Sequence, residues 1–215
     1  MPFFITFEGS EGCGKTTQSQ HLAEHLRASG YSVLTTREPG GCVISDAIRS
    51  ILLDAANTAL TQRSELLLYA AARAQHVDEI IRPALATGTI VICDRYIDAT
   101  VAYQGHGRGL DLDLIGDLNR LATNSVVPDL TLLLDFPVEA GLQRARARNA
   151  QAEGDNEDRF ERESLAFHHR VRQGYLQLAA QHKRFQIIAA EGSPARIAGR
   201  IRQVVDNVIS TRETP

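Results

Sequence analysis

The chain has 215 residues, with 23 Lys plus Arg against 26 Asp plus Glu for a formal net charge of −3 and a pI near 6.2; that length fits one α/β domain with a sizeable core, so residues 1–215 are read as a single unit. The mild acidity excludes the broad basic field of a long nucleic-acid interface, so an anionic ligand must be met by locally clustered arginines. Cys13, Cys42 and Cys93 lie far apart without CxxC spacing, which excludes a disulfide framework or zinc knuckle; with no basic leader and no run of roughly 18 apolar residues, the expected setting is the cytoplasm, away from membranes.

The first predicted strand, "FFITFE", runs into "GSEGCGKT", Gly9 to Thr16, a G-x-x-x-x-G-K-[ST] phosphate loop, and then into the amphipathic helix "TTQSQHLAEHLRAS". A strand before and a helix after are the context this motif needs. Gly9, Gly12 and Gly14 let backbone N–H groups turn inward as an anion nest at a helix N-terminus. Lys15 reaches the β- and γ-phosphates of a nucleotide, and the Thr16 hydroxyl suits Mg²⁺. The expected nucleotide-phosphate set is Gly9, Ser10, Glu11, Gly12, Cys13, Gly14, Lys15, Thr16 and Thr17. His21 and His25 match an H-x-x-E-H zinc pattern, but their helix already serves the phosphate loop and no third ligand is evident, so solvated helix surface is the expectation.

A second strand, "SVLTTRE", precedes a long helical run, "SELLLYAAARAQHVDEIIRPAL", in which Tyr69 and Arg73 stand at i and i+4. The third strand, "TIVICD", ends in Asp94, level with the phosphate loop and placed to hold Mg²⁺ through water. Arg95 beside it offers a fork for a second phosphate. Thr100, Tyr103 and Gln104 would share one helical face; with Tyr69 and Arg73 they supply an aromatic platform, a guanidinium and an amide for a flat base. "LDLDLIGDLNRLA" reads as helix, so its D-x-x-G match at 113–116 is chance, and the N-K-x-D of a GTPase is not present.

After the fourth strand, "LTLLLDF", the run "LQRARARN" puts Arg144 and Arg148 on one helical face and Arg146 roughly 200° from Arg144. The polar stretch "RNAQAEGDNEDRFERE", 148–163, is expected to be exposed and mobile. It reads as part of a lid over about 144–163 that carries Arg148, with Arg146 or Arg159 as alternates, toward a transferring phosphoryl group. "LAFHHRVRQGYLQLAA" resumes a helix before the last strand, "FQIIAA". Strands alternating with helices predict a three-layer α/β/α fold on a parallel sheet, with ligands at the carboxyl ends of the strands.

"FEGSEGCGKTTQ", "TREPGG", "LLLYAAARAQH", "CDRYIDATVAYQGHGRG" and "PDLTLLLDFPVEAGLQRARAR", in that order and spacing, closely resemble bacterial thymidylate kinase over about residues 3 to 180. The resemblance implies the five-stranded P-loop nucleotide kinase fold with a mobile lid, a homodimer, and transfer of the ATP γ-phosphate to the 5′-phosphate of dTMP. It implies that Lys15 and Thr16 serve ATP and Mg²⁺, that Arg95 binds the acceptor phosphate and that Glu11 approaches the sugar 3′-hydroxyl. It also implies that Glu38 and Pro39 line the acceptor pocket, Tyr69 stacks on thymine, Arg73 bonds its O4, and Tyr103 crowds C2′. Cys13, Cys42, Ala99 and a long segment after Arg148 depart from the family pattern. A phosphate-oxyanion acceptor needs no strong base, in keeping with a sequence that shows no Ser/His or Cys/His constellation. The rival readings are a kinase for another monophosphate and a slow nucleotide-hydrolysing switch.

Overall fold

In the computed structural model, which describes residues 2–151 and 159–213, the five apolar runs become β1 (Phe3–Glu8), β2 (Val33–Arg37), β3 (Ile90–Asp94), β4 (Leu130–Asp135) and β5 (Phe185–Ala189). They lie in the order β2-β3-β1-β4-β5, and every neighbouring pair is parallel. The two-residue period of a strand, with both faces covered, explains why β1 is buried throughout. Phe3, Ile5 and Phe7 point to one face, packing with Leu22 and Leu26 of α1 (Lys15–Ala28) and Ile201 and Val205 of α9 (Pro194–Glu213). Phe4 points to the other, against Val77, Ile81 and Tyr96.

That second face is covered by α3 (Gln62–His76), the π-helical turn Val77–Ile81 that continues it, and α8 (Leu165–Gln181). Under α8, Leu133 and Phe185 of the sheet meet Tyr103, Phe167, Val171 and Tyr175. The remaining helices are α2 (Val43–Leu53), α4 (Arg82–Ala86), α5 (Ile97–Thr100), α6 (Leu112–Thr123) and α7 (Val138–Gln151). α6 contains the D-x-x-G match, as its periodicity predicts. Side chains cap several helices: Thr61 accepts from the Ser64 amide at α3, Asp111 from Leu114 at α6, and Ser164 from Phe167 at α8. α1 has no such cap. It begins on Gly14 in a left-handed conformation, φ 97°, which leaves its first amides for another acceptor.

Two expectations need correction. Val101–Gly107 is π-helical rather than α-helical, although the wider turn keeps Thr100, Tyr103 and Gln104 on the cavity side. Of the stretch expected to be exposed and mobile, residues 152–158 lie outside the described residues, but Phe160 and Glu161 are buried at 5% and 7% exposure. Phe160 meets the Tyr103 ring edge-on at 5.5 Å. One aromatic residue in an acidic stretch, invisible to average polarity, anchors the turn that follows.

Candidate active site

Phe7 of β1 and Arg37 of β2 both register with Asp94 of β3, so three strand ends reach the same level. From β1 the chain turns through Gly9, Gly12 and Gly14, all at positive φ. A Cβ on Gly12 would run into the Gly141 carbonyl, and one on Gly141 into the Glu11 carbonyl, so the loop lies backbone to backbone on the first turns of α7. Lys15 Nζ folds back along the loop, donating to the carbonyls of Gly9 at 3.1 Å and Ser10 at 3.0 Å. Thr16 Oγ1 donates to Asp94 Oδ2 at 2.6 Å, which brings the two expected metal groups together. Cys13 turns its side chain into the core, leaving its backbone for the loop.

Arg95 has φ 70°, and its amide donates to the Phe7 carbonyl at 2.9 Å. This left-handed residue aims its guanidinium across the strand ends. Nη2 donates to Glu11 Oε1 at 2.7 Å, Nη1 to the Tyr175 hydroxyl at 3.3 Å, and the group lies 4.8 Å over the Tyr103 ring. Tyr103 donates its own hydroxyl to Glu11 Oε1 at 2.7 Å. Burial alone would raise the Glu11 carboxyl; Arg95, Lys15 and the Tyr103 hydroxyl outweigh it and hold the pKa down at about 2. Beneath them Glu8 accepts from the Tyr96 amide and the Tyr175 hydroxyl, both at 2.8 Å. Burial, reinforced by the Asp98 carboxylate, pushes Glu8 up to about 8.

The far end of the site is a buried polar lattice around Arg73, which is 2% exposed. Its Nε donates to Glu38 Oε2 at 2.7 Å, Nη1 to Asn119 Oδ1 at 2.7 Å, and Nη2 to the Tyr96 carbonyl and Thr100 Oγ1, both at 3.0 Å. Four of the five guanidinium hydrogens are thereby used, leaving one on Nη1. Glu38, which precedes a cis peptide to Pro39, is held on its other oxygen by His76 Nδ1 at 3.0 Å. Thr36 meets the second nitrogen of that imidazole at 2.6 Å. His76 was not anticipated, because a helix histidine carries no sign of where its ring will land.

These groups open onto one cavity of about 590 Å³, an ordinary size for a small-molecule site. Every residue of the expected base and acceptor set lines it: Glu11, Glu38, Pro39, Tyr69, Arg73, Arg95, Thr100, Tyr103 and Gln104. So do Gly12, Gly14, Lys15, Thr16, Thr17 and Asp94, whereas Gly9, Ser10 and Cys13 lie behind the lining. Of the arginines on that helix only Arg148 reaches the cavity, beside Asn149, and its Nη2 stands 3.6 Å from Glu161 Oε1. Arg146 binds the Glu161 carbonyl, Arg144 lies over the Phe136 ring, and Arg159 pairs with Glu65 at 2.7 Å. Arg37, Arg49, Leu53, Tyr96, Ala99, Asn149, Phe160 and Glu161 complete the lining without having been anticipated as site residues. Arg37 abuts "EPGG" in sequence and could have been suspected from that; α2 brings in Arg49, whose Nη1 donates to the Pro39 carbonyl at 2.9 Å.

A cradle for one run of phosphates, facing an arginine able to hold another phosphate in front of a flat pocket with polar edges, is the layout of a phosphate-loop nucleotide kinase. The family model described as Thymidylate kinase matches residues 7–201. A thymidylate kinase from Geotalea daltonii is 65% identical over 190 residues, covering 87% of this chain and 89% of its own. One from Geobacter sulfurreducens is 55% identical over 213 residues, 99% of this chain and all of its own. A crystal structure of thymidylate kinase from Ehrlichia chaffeensis is similar with a TM-score of 0.76 and 35% identity, covering 94% of this chain and 98% of that one. The chain belongs to the thymidylate kinase family and is a kinase.

Proposed function

We propose that residues 1–215 form one catalytic domain that transfers the γ-phosphate of ATP to dTMP, giving dTDP and ADP, with Mg²⁺ as cofactor, acting in the cytoplasm as a homodimer. The observation that carries this is Arg95, held in a left-handed backbone at the end of β3 with its guanidinium between the phosphate loop and the base pocket. An acceptor phosphate displaces Glu11 from Arg95 and lies facing Lys15, which swings from the Gly9 and Ser10 carbonyls to the donor phosphates. Glu11, released, is free to meet the sugar 3′-hydroxyl. Tyr69 stacks on the base, the remaining Nη1 hydrogen of Arg73 reaches O4, and the Tyr103 ring excludes a substituent at C2′.

The acceptor is already an oxyanion, so chemistry here is alignment and charge neutralisation between two polyanions. Arg148, at the cavity mouth, contributes positive charge where the phosphoryl group crosses. Thr16 and Asp94 fit Mg²⁺: they bring two hard oxygen groups to one point, 2.6 Å apart, and this ion is commonly held by one or two protein groups together with phosphate oxygens and water. When bound it supplies charge that offsets phosphate repulsion.

A homodimer is supported by exposed apolar side chains on three helices that pack side by side, α2 on α3 and α3 on α6. Ile44 and Ile51 on α2, Leu67 on α3, and Leu114 and Leu121 on α6 are all about half exposed or more, and seven-residue spacing puts each i, i+7 pair on one face.

The test is a coupled ADP-release assay across dTMP, dUMP, dCMP and UMP. dTMP is the best acceptor. dUMP is weaker by the worth of one buried methyl, about 1–3 kcal/mol, and dCMP and UMP are very poor. Tyr103→Ala narrows the gap between UMP and dUMP. ADP release without any acceptor would favour a hydrolytic switch, and a different preferred monophosphate would favour another nucleotide kinase.

A further inference from the structure

A carboxamide presents a donor at one end and an acceptor of nearly the same shape at the other, so the end that faces the base decides which base edge it matches. Gln104 lines the cavity and is 1% exposed. Its Nε2 donates to Glu65 Oε1 at 2.8 Å, and its Oε1 has no hydrogen-bond partner among the described residues. Glu65 lies on α3 behind the cavity wall, 1% exposed. Its carboxylate is clamped by two guanidiniums: Arg108 donates from Nε to Oε1 and from Nη2 to Oε2, both at 3.2 Å, and Arg159 Nη1 stands 2.7 Å from Oε2. A carboxylate fixed in this way only accepts, so it captures the NH₂ end of Gln104 and leaves the oxygen toward the cavity.

We propose that Glu65 is a positioning residue that selects keto over amino pyrimidines by holding the Gln104 amide with its oxygen inward. The inference rests on the acceptor reading above. Gln104 lies one helical turn beyond Thr100, which accepts from Arg73. The free Nη1 hydrogen of Arg73 and the inward oxygen of Gln104 therefore form a donor beside an acceptor. Thymine and uracil present the complement, O4 beside N3–H. Cytosine presents an amine beside a bare ring nitrogen and is mismatched at both points, each mismatch leaving a buried polar group unpaired.

The test is Glu65→Gln, whose new amide can donate to Gln104 Oε1 and permit the flipped orientation. The ratio of kcat/KM for dTMP over dCMP is expected to shrink by on the order of tenfold or more, while the dTMP over dUMP ratio, which reads only the methyl, stays within about twofold. A purely structural role would lower the thermal midpoint and all acceptors in parallel, leaving the first ratio intact and overturning the proposal. In a Gln104→Leu background Glu65→Gln should move the ratio no further; an equal shift there would overturn it too. Should Glu65→Gln fail to fold, hydrogen exchange of the wild-type Gln104 side-chain NH₂, assigned by its loss in Gln104→Leu, decides the matter. It should be slower by about tenfold or more than that of exposed Gln20, and equal rates would overturn the assignment. A wild type indifferent to dTMP and dCMP would overturn the acceptor reading and the selection with it; a discriminating wild type beside an equally discriminating Glu65→Gln would overturn the role of Glu65 alone.

Discussion

Glu8 and Glu11, three residues apart, are driven in opposite directions by their surroundings, and each leaves its own mark on stability. Glu11 ionises more readily in the fold, at about 2 against an ordinary 4.5. It therefore stabilises the protein above about pH 4.5, and that contribution is lost as pH falls toward 2. Glu8 holds its proton up to about 8 against the same ordinary value. Its contribution is complete below about pH 4.5 and is lost as pH rises toward 8, with a slope of at most about 1.4 kcal/mol per pH unit. Glu8→Gln keeps an acceptor for the Tyr96 amide and removes the titration. Urea unfolding between about pH 5 and pH 8 should thus show wild type losing stability relative to Glu8→Gln; parallel curves would mean that Glu8 titrates as an ordinary carboxyl. Lys15, Thr16, Asp94 and Arg95 were legible because motif and strand end are local signals. Glu8 was not, because an acid closing an apolar strand reads as the strand's wet end. The side chain that covers it, Tyr175, is 167 residues away.

Helix α7 shows how an element delivers one side chain and withholds its neighbours. The close approach of Gly12 and Gly141 fixes its first turns to the phosphate loop. Arg148 lies seven residues on, about two turns and roughly 10 Å along the same face, whereas Arg146 at five residues is rotated by roughly 140°. The first reaches the cavity, and the second binds the Glu161 carbonyl. Arg148→Ala is expected to lower kcat by on the order of 10² or more with a smaller change in either KM, as for an arginine that meets charge chiefly in the transition state. Single-turnover and steady-state kinetics together check this. An unchanged kcat with a raised KM for ATP would reduce Arg148 to a binding group. The limits of β1, β3 and β4 could be read from sequence to within about a residue, because burial on both faces leaves a nearly unbroken apolar run. The π-helical turn Val101–Gly107 could not, since no local sequence signal separates it from an α-helical turn. The turn at Phe160 is likewise a tertiary event with no local periodicity.

At the scale of the whole molecule, the exposed apolar faces of α2, α3 and α6 make assembly measurable. Sedimentation equilibrium should give twice the chain mass for wild type and the single-chain mass, 23.6 kDa, for the double variant Ile51→Asp with Leu121→Asp; a wild type that stays at the single-chain mass would end the dimer proposal. The molecule is also net acidic, yet it is built to receive two polyanions, and the contact between Arg95 and Glu11 at 2.7 Å bears on how it does so. Arg95 carries its own anion before any substrate arrives; on the proposed assignment dTMP would therefore enter by ion exchange, its phosphate replacing a carboxylate of the protein rather than small ions drawn from the buffer. Few counterions are released in such a swap, so dTMP affinity should vary less with ionic strength than the charge of a phosphate suggests. Thymidine, with nothing to offer Arg95, should on the same assignment leave the internal pair closed and have only its base and sugar to bind with.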